Sequence, residues 1–142
     1  MSESLHYHYV VPGDDFTQAG MASSAVKQIL KQLGFDPLII RKMAISLYEG
    51  EINMVIHANG GQIDVDIDDS KIVAVLRDHG PGIANIQLAM QDGWSTASEQ
   101  VRGLGFGAGM GLPNMKKYSD DLKIESTVGV GTTVTITVNT QE

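Results

Sequence analysis

The segment from Asp36 to Gly61, DPLIIRKMAISLYEGEINMVIHANGG, constrains the fold of this chain more than any other. Asp36 is a preferred helix N-cap residue, and Pro37 suits the first helical position. The Asn-Gly-Gly sequence at the other end tolerates the left-handed conformation in which helices commonly stop. Roughly six helical turns fit between these signals. The sequence therefore predicts one long helix, against which the remaining elements must pack.

One arc of this predicted helix is polar. At about 100° per residue, it carries Lys42, Ser46, Glu49, Asn53 and His57, while the opposite side is largely apolar. Such a helix is commonly a solvated surface helix. The alternative is a functional face, because a carboxylate and a carboxamide one turn apart point the same way. Glu51 falls on the apolar side, where the pattern gives it no role.

Composition excludes several classes of function. The chain has 142 residues, which suits a single domain with one core. Its net charge of −7 and pI near 4.9 argue against nucleic-acid or anionic-membrane binding. No cysteine is present, so disulfides and thiolate chemistry are excluded. The first residues do not read as a signal peptide, and no apolar run is long enough to span a membrane. We therefore expect a cytoplasmic protein.

Hydrophobic periodicity predicts a two-layer α/β sandwich with helices on one face of the sheet. Five strands are predicted, at 5–11, 62–68, 72–76, 122–126 and 132–138. The third is apolar on both faces, which predicts a central position. Besides the long helix, helices are predicted between the Pro12-Gly13 turn and Gly34, at 84–92 and at 112–118. We expect a mixed sheet, because the last two strands form a hairpin while helices separate the others.

Glycine falls at every second position from Gly103 to Gly111, in the sequence GLGFGAGMG. One interpretation is a flexible surface loop. The other is a loop whose backbone N–H groups approach phosphate oxygens before a helix begins. A dinucleotide-binding fingerprint is disfavoured because these glycines do not directly follow a strand, and no Walker A sequence exists in the chain.

Four motifs together are more specific than any one of them. They are, in chain order, Glu49-x-x-x-Asn53, Asp78-His79-Gly80-Pro81-Gly82, Gly109-Met110-Gly111-Leu112 and Gly131-Thr132-Thr133. This series resembles the GHKL-type ATP-binding domain of gyrase, Hsp90, MutL and histidine kinases, which has the Bergerat-type fold. The resemblance covers nearly the whole chain. Within this family, the small size of the chain favours the serine-protein kinases of the anti-sigma-factor and stressosome switch-kinase group. The chain is most similar to that group in the sequences EGEINMVIHANGGQI, DHGPGI and GMGLPNMKKYSD.

The resemblance implies ATP and Mg²⁺ as ligands and assigns a role to each motif. Glu49 matches the general base, Asn53 the magnesium ligand, and Asp78 the carboxylate that accepts a hydrogen bond from the adenine amino group. The residues implied to surround the adenine base are Gly80, Gly82, Ile83 and Thr133. The implied phosphate loop contains Gly109, Met110, Gly111 and Leu112. A lid is expected over 95–108, from which Arg102 would reach the γ-phosphate on closure.

The resemblance also implies a function. The chain would be a serine/threonine-protein kinase of a partner-switching pathway, phosphorylating an antagonist protein with a STAS domain. A sigma factor or a PP2C-type phosphatase is a further expected partner, and the resemblance is compatible with a homodimer. The alternative is a nucleotide-gated module that binds such a partner without significant kinase activity. Glu49 favours the kinase, because a pure binding module needs no base; a stand-alone ATPase fits less well.

Overall fold

The computed structural model describes residues 4–13, 18–58, 60–83 and 111–140. Within these ranges the chain forms five strands and three helices. The strands are β1 (Leu5–Pro12), β2 (Gly60–Ile67), β3 (Lys71–Arg77), β4 (Asp121–Thr127) and β5 (Gly131–Asn139). The helices are α1 (Met21–Gln32), α2 (Pro37–His57) and α3 (Gly111–Lys117). The helix predicted at 84–92 lies outside the described residues.

The five strands form one sheet in the order β1-β2-β3-β5-β4, and every neighbouring pair is antiparallel. The α/β class and the central position of β3 are confirmed. The prediction of a mixed sheet is wrong. Two helices connect β1 to β2, so the chain reverses direction a third time and enters β2 antiparallel to β1. A single connecting helix would have allowed a parallel crossover instead.

The sheet buries one face against the helices. Along β1, β3 and β5, buried or half-buried residues alternate with more exposed ones, as the pleat of a strand requires. The largest fully buried side chains of the described core come from both layers: Leu30, Met43, Leu47, Ile63, Ile67, Ile72, Leu76, Met115 and Ile136. The face of the sheet away from the helices carries charged residues, among them His6 and Asp64. The molecule is thus a two-layer sandwich with one open sheet face.

Helix α2 begins where the sequence predicts. The Asp36 side chain accepts a hydrogen bond from the backbone N–H of Leu38 at 2.9 Å, and Pro37 is the first helical residue. Gly50 lets this helix approach the sheet, because a Cβ atom there would lie 2.6 Å from Cδ2 of Leu76 on β3. The close approach fixes the height of α2 above the sheet. None of the helices within the described ranges is long and apolar enough to span a membrane.

Helix α1 starts later than predicted. The sequence suggested a helix soon after the Pro12-Gly13 turn, whereas the helix begins at Met21. Gly20 precedes it with a φ of 94°, a left-handed conformation that interrupts any helix coming from upstream. Because Gly20 occupies the N-cap position, the cap residue has no side chain with which to accept a hydrogen bond from the first turn.

Candidate functional site

The first half of the polar arc of α2 is covered by the end of α3 and the residues after it, and not only by solvent. The Lys42 ammonium group donates to Oδ1 of Asp120 at 2.6 Å. The Ser46 hydroxyl, which is fully buried, bonds to the carbonyl of Lys42 and lies 3.4 Å from the carbonyl of Tyr118. The interpretation of this arc as a solvated surface helix is therefore wrong for its first half. Polar groups on α2 here form an interface with the end of α3 and the residues after it.

Glu49 lies further along the same interface and is half-buried. The Asn114 side-chain amide on α3 donates to its Oε1 across 3.5 Å. Burial raises the pKa of the Glu49 carboxyl, and the Asn114 bond partly opposes this by lowering it. Among the described residues, none donates a hydrogen bond to Oε2. Within the described residues, Glu49 thus has one oxygen bound by an amide, one oxygen without a donor and a pKa raised by burial, a combination that suits a proton acceptor.

Asn53 follows Glu49 by one turn and is also half-buried. No other described residue forms a hydrogen bond with its side chain, so its carboxamide oxygen is available as a ligand. Within the described part of the chain, no three His, Asp or Glu side chains are placed to hold a metal ion. The Asn53 carboxamide is an oxygen ligand of a kind that suits Mg²⁺ bound together with nucleotide, since Mg²⁺ commonly takes one or two protein oxygens and completes its shell with phosphates and water.

Glu51 has an unexpected role. Its side chain is 2% exposed, and it belongs to the buried side of α2 as the periodicity indicated. The carboxylate accepts hydrogen bonds from the first backbone N–H groups of α1, at Gly20 (3.0 Å), Ala22 (3.2 Å) and Ser23 (2.9 Å). It thus supplies from a neighbouring helix the N-terminal cap that α1 lacks. No local pattern in the sequence indicates this contact.

Asp78 lies directly after β3. Its Oδ1 accepts two backbone hydrogen bonds, from Gly80 at 2.9 Å and from Thr132 on β5 at 3.1 Å. Oδ2 receives no hydrogen bond from any other described residue. Two donors therefore hold Oδ1 while Oδ2 has no donor among the described residues, an arrangement suited to accepting a hydrogen bond from an amino group.

The loop that follows Asp78 is tied to the β4–β5 hairpin. The backbone N–H of Ile83 donates to the Ser126 hydroxyl at 2.7 Å, and that hydroxyl lies 2.8 Å from the hydroxyl of Thr132. The backbone N–H of Gly129 donates to the carbonyl of Pro81 at 2.9 Å. These bonds hold 78–83 in one conformation, so the free oxygen of Asp78 has a defined direction.

Gly80 and Gly82 sit where a side chain would not fit. A Cβ atom on Gly80 would lie 2.7 Å from Cα of Ala58, just beyond the end of α2. On Gly82, whose φ is 79°, it would lie 2.5 Å from the carbonyl oxygen of Thr127. Both glycines therefore let the loop pack closely, the first against α2 and the second against the hairpin. Their predicted contact with an adenine base stays a prediction.

The structure brings Thr132, not Thr133, to the Asp78 carboxylate. Thr132 is 8% exposed and bonds to Asp78 through its backbone N–H. Thr133 follows it on β5, opposite Arg77 and Glu125, so strand alternation directs its side chain to the other face of the sheet. The threonine beside Asp78 is therefore Thr132, and the predicted position of Thr133 near an adenine base stays a prediction.

The remaining predicted site residues divide into two groups. Gly111 and Leu112 open α3, and the Leu112 side chain is part of the hydrophobic core. Any contact of this side chain with a ligand would require the core to open. Arg102, Gly109, Met110 and the lid predicted over 95–108 lie outside the described residues.

Comparison with known proteins identifies the family. The model of the histidine kinase-like ATPase domain matches residues 14–138. The serine/threonine-protein kinase RsbT of Bacillus subtilis is 30% identical over 112 residues, which cover 76% of this chain and 78% of RsbT. The anti-sigma F factor of Caldanaerobacter subterraneus is 36% identical over 109 residues, covering 72% and 73% of the two chains.

Solved structures agree on the fold. The RsbU and RsbW domains of a Mycobacterium tuberculosis protein superpose with a TM-score of 0.59 at 17% identity, over 99% of this chain and 34% of that longer one. The mycobacterial sensor histidine kinase MprB gives a TM-score of 0.53 at 16% identity, over 95% and 97% of the two chains. From the motif order, the sheet and these matches, the chain belongs to the histidine kinase-like ATPase family, in the group that contains RsbT and the anti-sigma F factors.

Proposed function

We propose that this chain is an ATP-dependent serine/threonine-protein kinase of a partner-switching pathway, and that its substrate is an antagonist protein of the STAS type. Two kinds of relative support this: one is named a serine/threonine-protein kinase and several are named anti-sigma F factors. The chain would act as a single ATP-binding domain in the cytoplasm.

One observation carries the proposal. The contact of Gly80 with Ala58 places the Asp78 loop at the C-terminal end of α2. Moving back along the helix, Asn53 comes five residues earlier and Glu49 nine residues earlier, about 8 and 14 Å along the axis. A nucleotide with its adenine at Asp78 would extend its phosphates toward Asn53 and then Glu49. From the middle of α2 toward its C-terminal end, the half-buried polar groups thus come in the order Glu49, Asn53 and Asp78, as a base, a metal ligand and an adenine acceptor would.

The proposed reaction transfers the γ-phosphoryl group of ATP to a serine or threonine hydroxyl. The hydroxyl oxygen forms a bond to the γ-phosphorus, and the bond from that phosphorus to the β–γ bridging oxygen breaks, leaving ADP. The hydroxyl proton moves to Oε2 of Glu49. Such transfer depends mainly on positioning and on neutralising charge, so one base and one metal ligand suffice.

Asn53 would hold Mg²⁺ through its carboxamide oxygen, and the ion would neutralise charge on the phosphates. Asp78 would select adenine by accepting from its amino group through Oδ2. Thr132 takes the place of Thr133 in this proposal, because its hydroxyl and backbone N–H both lie in the network around Asp78.

The test is transfer of labelled phosphate from ATP to a purified STAS-type antagonist that co-purifies with this chain. Transfer by the wild type and its loss in Asn53→Ala are expected. Asn139→Ala, at an exposed position at the end of β5, is the matched control and should retain transfer. Absence of transfer to every co-purifying protein, despite nucleotide binding, would contradict the kinase proposal.

The second candidate is a nucleotide-gated binding module for a sigma factor or a PP2C-type phosphatase. The names of the anti-sigma F relatives favour it, because they name a protein that opposes a sigma factor and do not name a kinase. Under this proposal, ATP and ADP would change partner affinity while no phosphate moves. Isothermal titration of the partner in the presence of each nucleotide would distinguish the two candidates, and light scattering would test the homodimer.

A further inference from the structure

Asn114 is the described side chain that touches the Glu49 carboxylate. Its amide nitrogen lies 3.5 Å from Oε1, and the contact joins α3 to α2 across 65 residues of chain. Asn114 is neither one of the predicted site residues nor a member of the four sequence motifs. The contact occupies Oε1, whereas Oε2 has no hydrogen-bond donor among the described residues.

The packing around this contact makes it directional. Met115, the residue after Asn114, is fully buried, and its terminal methyl would lie 3.1 Å from a Cβ on Gly50, the residue after Glu49. Two neighbouring residues of α3 therefore meet two neighbouring residues of α2. Because Met115 is locked into the core, the amide of Asn114 cannot drift along the helix away from the carboxylate.

Further along, the same interface is fixed by polar contacts. The Tyr118 carbonyl approaches the Ser46 hydroxyl, and Asp120 pairs with Lys42. The chain from 114 to 120 thus runs antiparallel to α2 and is attached at each end. Glu49 lies on this side of α2, one helical turn before Asn53.

We infer that Asn114 is a positioning residue for the general base: its amide holds Oε1 of Glu49 so that Oε2 faces the substrate hydroxyl. The inference rests on the proposed kinase function for its catalytic consequence, whereas the contact itself can be tested without nucleotide. A donor on Oε1 stabilises the charged carboxylate, which burial alone would disfavour. Asn114 would thereby keep the base ionised as well as oriented.

The other charged groups in the described part of the chain do not substitute for this amide. Glu49 takes part in no ion pair within the described part of the chain. On α2, its titratable neighbours are Tyr48, whose pKa is raised by burial and by the two nearby carboxylates, and Glu51, which is capped by α1. Lys116 and Lys117 on α3 are exposed, as are Lys27 and Lys31 on α1. Among the charged groups of the strands, Asp64 and Arg77 bond to each other on the far face of the sheet.

The first experiment follows the Glu49 carboxyl carbon by NMR in protein labelled at glutamate side chains, without nucleotide. Glu49→Gln identifies the signal by its disappearance. Asn114→Leu removes the donor while keeping the branching of the side chain, and Asn114→Asp keeps the shape while replacing the donor by a second carboxyl. The pKa of Glu49 is expected to rise in both variants, more in Asn114→Asp. Asn139→Leu makes the same substitution at an exposed position and should leave the titration unchanged.

The second experiment measures the pH dependence of phosphoryl transfer to the antagonist. Asn114→Leu should move the acid limb of the pH profile to higher pH and should recover toward wild type on the alkaline plateau. On that limb, transfer should fall by up to about tenfold for every pH unit by which the limb moves. A merely structural loss would lower the rate equally at every pH. Equal Glu49 titration in the wild type, Asn114→Leu and Asn114→Asp overturns the inference. A changed titration together with no transfer by the wild type sustains the contact and overturns the kinase proposal instead.

Discussion

Two glutamates on α2 differ in what surrounds them. Glu49 and Glu51 are two residues apart, which turns their side chains to nearly opposite sides of the helix. Glu51 is 2% exposed and accepts three backbone hydrogen bonds, whereas Glu49 is half-buried and meets one amide at 3.5 Å. The two carboxylates thus differ both in burial and in the number of described donors directed at them. A carboxylate oxygen without such a donor can accept a proton or a ligand.

The carboxyl group of Asp78 combines one oxygen that accepts backbone hydrogen bonds with one that has no donor among the described residues. Its Oδ1 accepts two backbone hydrogen bonds, as the oxygens of Glu51 do. Its Oδ2 resembles Oε2 of Glu49, since no other described residue bonds to it. One half of the side chain therefore belongs to the fold and the other half is available to a ligand. Substitutions at these three carboxylates should separate the two roles.

The largest effect is expected for Glu49→Gln in phosphoryl transfer. The amide preserves size and shape but cannot take the hydroxyl proton, so transfer should fall by about 10²–10⁴-fold. Nucleotide affinity should change little. Glu51→Gln, assayed under conditions where it is folded, is the comparison variant and should retain most of the activity. Transfer at the wild-type rate by Glu49→Gln would show that this carboxylate is not the base.

The next largest effect is expected on the free energy of unfolding, for which Glu51 matters more than Glu49. Glu51→Ala leaves three N–H groups at the start of α1 without their acceptor, which should cost about 2–4 kcal/mol of unfolding free energy. Urea denaturation followed by circular dichroism measures this. Glu125→Ala is the matched control, because its side chain is 65% exposed and pairs with Lys123 at the surface. Equal midpoints for the two alanine variants would contradict the capping role of Glu51.

Asp78→Asn should affect ligand binding more than folding. The carbonyl oxygen of asparagine can still accept from Gly80 and Thr132, which directs the NH₂ group toward the ligand in place of Oδ2. ATP or ADP at a hundredfold excess over Kd should stabilise the wild type by about 2.7 kcal/mol. The variant should lose tenfold in affinity or about 1.4 kcal/mol of that gain. Thermal shift with and without nucleotide measures it, and an identical shift in both proteins would contradict the adenine contact.

A smaller change in unfolding free energy is expected for Glu49→Gln at neutral pH. It should be stabilising, whereas substitution of Glu51 is destabilising. Burial raises the folded-state pKa of Glu49 above the unfolded value near 4.5, so the stability associated with its protonated form is present below that value. It is lost as the pH rises through the folded pKa. Glu49→Gln does not titrate and should therefore be more stable than the wild type at neutral pH, with the difference shrinking toward pH 4. Urea denaturation at several pH values checks this, and a destabilised variant at neutral pH would contradict it.

The smallest effect is expected on the open face of the sheet. The hydrogen bond to Asp66 is the main cause that raises the pKa of His6 above 6.5. The resulting stability is fully present below pH 6.5 and is lost as the pH rises through the folded pKa. Because the His6 side chain is 55% exposed, the difference between the wild type and His6→Gln should be barely measurable even at pH 5.5, and absent at pH 9. A large difference at pH 9 would mean that His6 has a packing role.

Much of the fold could be predicted from local patterns. Asp36 and Pro37 mark the start of α2 through contacts within two residues. Alternation of apolar residues marks the strands other than β3, which is marked by a continuous apolar run. The motifs also identify the family, because each carries its own residue types in a fixed order. Strand direction was less accessible: it depends on how many times the connecting segments reverse the chain, which the pattern of a single strand does not record.

The sequence by itself determined the elements, the central position of β3, the family, and the candidate residues Glu49, Asn53 and Asp78. Only the tertiary structure decided which neighbours those residues have. Asn114 meets Glu49 from 65 positions away, Glu51 caps a helix about 30 residues upstream, and the phase of β5 against Asp78 selects Thr132 over Thr133. The physical reason is that a carboxylate's chemistry depends on the donors and the burial around it. Both are fixed by contacts between residues far apart in the chain, which a local sequence pattern does not record.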